Sequence, residues 1–122
     1  MDAERTGASL DEVVDDDDEV AVAAVTIAEL TVGVLLADDV HRPARQQFLD
    51  EVKVIIPIVA YDAVVASSHA ELLVAVRRQG RPRGAHDMII AATANATQRE
   101  VVSADTSAYV DLPGVTLRSH RP

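Results

Sequence analysis

Three acidic residues sit where short apolar elements begin or end. They are Glu29 in Thr26-Ile27-Ala28-Glu29-Leu30, Asp87 in Gly84-Ala85-His86-Asp87-Met88-Ile89-Ile90-Ala91-Ala92, and Asp105 in Val101-Val102-Ser103-Ala104-Asp105. Gaps of 58 and 18 residues separate them, so only a fold can gather them. Carboxylates gathered in one place repel one another, and a divalent cation is the usual remedy. The chain has no cysteine, and its histidines at 41, 69, 86 and 120 show no ligand spacing. Thiolate sites are therefore excluded, and hard oxygen ligands remain. Singly, each acid also has an ordinary role. Glu29 can close a capping box, Asp87 can answer a helix dipole, and Asp105 can sit in a turn.

The elements that must position these acids can be read from apolar spacing. Residues 20–25 are a near-continuous apolar run, which fits a buried strand. A helix is expected to follow from Thr26, with Thr26 as its cap and Glu29 completing the box, continuing through Leu30, Val34 and Leu35. A second amphipathic stretch runs from about Pro43 to Val52, and Lys53-Val54-Ile55-Ile56 reads as a short strand stopped by Pro57. Apolar residues recur at helical spacing from Ala60 to Gln79, and Gly80 suits the position that ends such a helix. Another helix spans Ala85 to Thr97, a strand Glu100 to Ser103, and a further strand lies at Val115-Thr116-Leu117. Alternating strands and helices predict an α/β fold with a mainly parallel sheet, in which ligands bind beyond the carboxyl ends of the strands. Glu29 and Asp105 follow strands on that side, and Asp87 occupies the first turn of its helix.

Length and composition narrow the function classes. A chain of 122 residues with 48% hydrophobic content reads as one domain over residues 1–122. Aromatics are 2%, the whole set being Phe48, Tyr61 and Tyr109, which excludes a base-stacking platform for single strands. No apolar leader and no spanning segment is visible, so a cytoplasmic protein with no membrane association is expected. The net charge of −9 is uneven. Residues 1–61 carry 14 acids and 4 bases, whereas 62–122 carry 6 acids and 7 bases. A bulk field that coats nucleic acid is thereby excluded, yet Arg77, Arg78, Arg81 and Arg83 form a basic rim near Asp87 that suits a phosphodiester. The same arginines also suit a helix end. The run Asp15-Asp16-Asp17-Asp18-Glu19 lacks the Gly and Glu that an EF-hand loop requires and reads as a solvated turn. His86 reads as a histidine exposed at a helix start.

The Thr-x-x-Glu-Leu after a first apolar strand, the Gly-Ala-His-Asp-Met-Ile-Ile-Ala-Ala-Thr-Ala after an Arg-Gln-Gly turn, and the Ser-x-Asp after a late strand resemble the PIN-domain nucleases, specifically the VapC toxins of bacterial toxin–antitoxin pairs. The resemblance runs from about residue 18 to the end, and Gly84 to Ala94 is its most specific part. It implies a three-layer α/β/α fold and an Mg²⁺- or Mn²⁺-dependent endoribonuclease that inhibits growth, is neutralised by an antitoxin and forms a homodimer. It makes Glu29, Asp87 and Asp105 the second, third and fourth acids of the metal site, with Ser103 in an auxiliary place. Arg81 and Arg83 are the candidates for contact with RNA. The family opens with a strand ending in Asp-Thr or Asp-Ser, and nothing here corresponds to it; Asp2 is not a convincing substitute. The expectation is therefore either a native start about ten residues upstream or a truncated remnant that keeps only a binding or dimerisation surface. An acidic-pocket receiver-like module ranks below both, because Lys53, the only lysine, begins a predicted strand.

Overall fold

The computed structural model describes residues 20–103 and 106–119. Asp2, the acidic run 15–19 and Asp105 lie outside the described residues. Two compact units divide the chain, one over residues 19–60 and the other containing everything from Tyr61 onward.

In the first unit, β1 (Val22–Ala23) passes straight into α1 (Ala24–Leu36), followed by α2 (Arg42–Ile55) and β2 (Ile58–Val59). The strands pair in parallel, Val22 with Ile58 and Ala23 with Val59, and the Val22 amide donates to the Pro57 carbonyl at 3.0 Å. Helix α1 starts two residues before the expected Thr26, with Ala23 at its N-cap and no side-chain cap. The predicted Thr26–Glu29 capping box is therefore not formed. Instead Thr26 is buried in the first turn, on one stripe with Leu30 and Val34, each four residues apart. The strand expected at Lys53–Ile56 is also corrected, because residues 53–55 complete α2 and the strand lies just beyond Pro57. Leu49, Val52 and Ile56 are buried at helical spacing while Val54 and Ile55 face solvent, a pattern that a strand could not produce.

Arginines from the start of α2 close the end of α1. Arg42 Nε donates to the Val34 carbonyl at 3.3 Å, its NH2 to the Ala37 carbonyl, and Arg45 NH1 to the Gly33 carbonyl at 3.1 Å. These carbonyls lie in the last turn of α1 and just past it, where intrahelical donors run out, and the Val34 carbonyl also accepts from the Ala37 amide. Between the helices, Asp38 Oδ1 accepts from the His41 amide at 2.9 Å. That backbone hydrogen bond, followed by the one from the His41 ring, holds the Asp38 carboxyl below its ordinary 3.8. Its contribution is present above pH 3.8 and is lost as the pH falls through the depressed value.

In the second unit, α3 (Ala63–Gln79) and α4 (Ala85–Ala96) precede β3 (Glu100–Ser103), a 3₁₀ turn at Thr106–Ala108 and β4 (Thr116–Ser119). Asp62 caps α3 by accepting from the Val65 amide at 3.0 Å, and Gly80 ends it with φ 67°, as its place in the sequence predicts. Val65, Leu72 and Val76 of α3 share a core with Met88, Ala91 and Ala92 of α4, Val101 of β3, and Tyr109 and Leu112 beyond it. The alanines are fully buried, and their small size lets the helices approach closely. Asn95 on α4 donates to Ser68 Oγ on α3 at 2.8 Å. Strands β3 and β4 are parallel over four residues, from Glu100 with Thr116 to Ser103 with Ser119, and Arg118 pairs with Glu100 across them at 3.2 Å. Every described strand pair is parallel, as the α/β reading requires. No helix among the described residues is long and apolar enough to cross a membrane.

Two glycines respond oppositely to a methyl group. Gly114 has φ 76°, and a Cβ there would lie 2.7 Å from Asn95 Oδ1; Gly33, inside α1, has nothing within 4 Å. Gly114→Ala is expected to destabilise the protein by about 1–3 kcal/mol through backbone strain and displaced Asn95. Gly33→Ala should stabilise it by about 0.5–1 kcal/mol. Urea unfolding of the two variants beside the parent checks both signs.

Candidate active site

Asp87 is the third residue of α4, whose N-cap is Gly84. Its carboxylate turns back over that cap, so that a Cβ on Gly84 would lie 3.0 Å from Asp87 Oδ2. Gly84 has an ordinary extended backbone, φ −61° and ψ 145°. Glycine there serves space rather than conformation, since a Cβ would make the Asp87 carboxylate give by a few tenths of an ångström. The other oxygen, Oδ1, accepts from the Tyr109 hydroxyl at 3.2 Å. Tyr109 follows the 3₁₀ turn and is only 5% exposed, while Asp87 is half-buried. The carboxylate thus sits at the positive end of a helix, with one oxygen held by a buried phenol.

The segment carrying Tyr109 is fastened to the α3–α4 connection. Arg83 NH2 donates to the Val110 carbonyl at 2.7 Å, Gln79 Nε2 to the Asp111 carbonyl at 2.7 Å, and Arg81 NH1 pairs with Asp111 Oδ2 at 3.2 Å. Asp111 itself has φ 63°, so the turn is tight at the point where these donors grip it. Arg83 also donates to the Arg81 carbonyl and to Gln79 Oε1. Arg83, a predicted RNA contact, is thus engaged within its own chain. Arg81 shares its guanidinium with Asp111 but keeps half of its side chain exposed.

The remaining candidates fall as follows. Ser103 is the last residue of β3 and is buried, at the carboxyl end of its strand where ligands gather in open sheets. Glu29 is half-buried in the second turn of α1, after the carboxyl end of β1. Asp105, two residues beyond Ser103, is outside the described residues. Among the described residues no three His, Cys, Asp or Glu side chains converge as a metal-binding group. The donors available for an ion are carboxylate and hydroxyl oxygens, the chemistry that Mg²⁺ and Mn²⁺ prefer. Tyr109 was not singled out by its sequence context. The one signal for it is that a buried tyrosine in a chain with three aromatic residues needs a partner for its hydroxyl.

The family profile described as PIN domain matches residues 2–111, beginning well before the residue 18 where the motif resemblance starts. The chain belongs to the PIN domain family. Its fold is similar to that of VapBC2 from Rickettsia felis, solved bound to a DNA fragment from its promoter. That match has a TM-score of 0.78 and 21% identity, and covers 98% of this chain and 86% of that one. VapBC-5 from Mycobacterium tuberculosis, a member of the VapBC family of toxin–antitoxin systems, matches with a TM-score of 0.75 and 26% identity over 89% of this chain and 92% of that one. FitAcB from Neisseria gonorrhoeae gives 0.73 and 26% over 96% and 85%. Among curated proteins, none matches this PIN domain by sequence. The resemblance to VapC-type PIN domains is borne out, and with it the α/β fold. PIN domains are generally nucleases, and divalent metals typically serve them.

The two arginines near Asp87 should differ in what their removal costs. Arg83→Ala breaks charge-assisted bonds to the Val110 and Arg81 carbonyls and to Gln79 Oε1, and is expected to cost about 1–3 kcal/mol. Arg81→Ala removes an exposed pair and should cost less than about 1 kcal/mol. Urea midpoints at low and high salt separate them, since only the Arg81 effect should fade with salt.

Proposed function

We propose that this PIN domain, one domain over residues 1–122, is a VapC-type toxin that cleaves RNA phosphodiester bonds as an Mg²⁺- or Mn²⁺-dependent endoribonuclease. The observation that carries the reading is Asp87, whose carboxylate is held between a helix N-terminus and a buried tyrosine in a chain matched to the PIN family from residue 2 to 111. In this reading Glu29, Asp87 and Asp105 supply the carboxylates for the ion, and Ser103 supports them. When bound, the ion provides charge to offset an anionic transition state and acidity toward water. The chain's own part is to hold the carboxylates in place against their mutual repulsion. Arg81, with half its side chain exposed, can meet the RNA backbone, whereas Arg83 acts by fixing the turn behind Asp87.

The likeness to VapBC and FitAcB complexes supports a small antitoxin as the partner. Exposed aliphatic side chains at Leu35, Leu36, Val40, Val54 and Ile55 give this chain apolar surface for an antitoxin or for a second copy in a homodimer. We place its action in the cytoplasm, where RNA and antitoxin would both meet it. The second reading is a catalytically impaired remnant that acts only as a binding or dimerisation module, for which the same exposed aliphatic side chains would serve.

Cleavage of a structured RNA with Mn²⁺ separates the two. The parent chain should cut, EDTA should stop it, and Asp87→Asn should lower the rate by about 100-fold or more. Undiminished cutting by D87N would remove Asp87 from the mechanism. No Mn²⁺-dependent cutting by the parent chain, with a stable complex with a small partner, would establish the remnant.

A further inference from the structure

Phenylalanine would fill the place of Tyr109 in the core as well as tyrosine does. What tyrosine adds is one O–H, and that hydroxyl is directed at Asp87 Oδ1, 3.2 Å away and 22 residues distant in sequence. The ring is held firmly enough to give the bond direction. It packs in the core with Met88, Ala108 and Leu112, and the next two residues are anchored through their carbonyls by Arg83 and Gln79. On the opposite side, a Cβ on residue 84 would lie 3.0 Å from Asp87 Oδ2 and oblige the carboxylate to shift by a few tenths of an ångström. A carboxylate pinned at one oxygen and seated over a glycine at the other has few orientations left to it. Such restriction is what second-layer hydrogen bonds confer on ion-holding carboxylates elsewhere.

We propose that Tyr109 is a positioning residue for Asp87, fixing the orientation of its carboxylate before a divalent cation arrives, and that residue 84 is glycine to leave room for that orientation. The inference rests on reading Asp87 as a metal ligand. A purely structural tyrosine would influence stability and leave the ion's affinity unchanged.

Calorimetric titration of the full chain with Mn²⁺ tests it without reference to cleavage, alongside urea unfolding of each variant. Tyr109→Phe is expected to stay folded and to bind Mn²⁺ about 10-fold more weakly. Gly84→Ala should weaken binding in the same direction, and Asp87→Asn should reduce it further than either. Parental affinity in Y109F, with binding lost in D87N, overturns the positioning role while Asp87 stands as a ligand. Parental affinity in D87N, or no Mn²⁺ binding by the parent, overturns both. Should Y109F fail to fold, G84A decides, because it displaces the same carboxylate without touching the core; weakened binding supports the proposal and parental binding overturns it.

Discussion

Strands β3 and β4 run parallel, so the chain between them cannot return by a tight turn and must cross over. What fixes the path of that crossover is the grip of Arg83 and Gln79 on the carbonyls of Val110 and Asp111. Tyr109 is placed by that grip, and through Tyr109 so is one oxygen of Asp87. The order of dependence runs from a guanidinium to a backbone carbonyl, to a phenol, to a carboxylate. Arg83 Nε is buried without a hydrogen-bond partner among the described residues, which is the cost of setting the guanidinium deep enough to reach Val110. Two carbonyls accepting from a charged donor can offset it, since such bonds are each worth about 1.5–3 kcal/mol.

The same device recurs in the other unit, where Arg42 and Arg45 hold the carbonyls that end α1. Its repetition follows from the composition. Alanine and valine bury little surface each, so a core built from them gives modest energy and weak shape specificity. Arginine, with five donors in a rigid fork, supplies directional contacts that small aliphatics cannot. Ten arginines against a single lysine fit that use.

How far the sequence could be read depended on whether a signal was local. The end of α3 at Gly80, the start of α4 at Ala85 and strand β3 were each marked by neighbouring residues, and their observed bounds lie within a few residues of expectation. Residues 53–56 misled because a four-residue run rich in β-branched side chains looks like a strand by propensity. The buried stripe of Leu49, Val52 and Ile56 overrides it, so that tertiary burial outweighs local preference. Thr26 misled in the same manner, having the chemistry of a cap but the burial of a core residue. At the candidate site, Asp87 was legible because Gly-Ala-His-Asp opens a helix. Its contact with Tyr109 was not, because no local periodicity encodes a hydrogen bond across 22 residues.

Charge sets a further constraint on the proposed function. A chain of net charge −9 repels RNA at long range, and its basic residues near Asp87 are partly engaged within the protein. Arg77 and Arg78 are exposed in the last turn of α3, where the helix dipole already favours them. The cations left for phosphates are the exposed Arg77 and Arg78 and the half-exposed Arg81, so under the proposed function an RNA gains only a modest contribution from release of its counterions. Under the proposed function, recognition would then lean on short-range contacts at the site itself, where fixed carboxylates and an ion would meet one phosphodiester. On that account rigidity around Asp87 matters more to this chain than to a strongly basic nuclease, because it has no bulk field to compensate for a loosely held site.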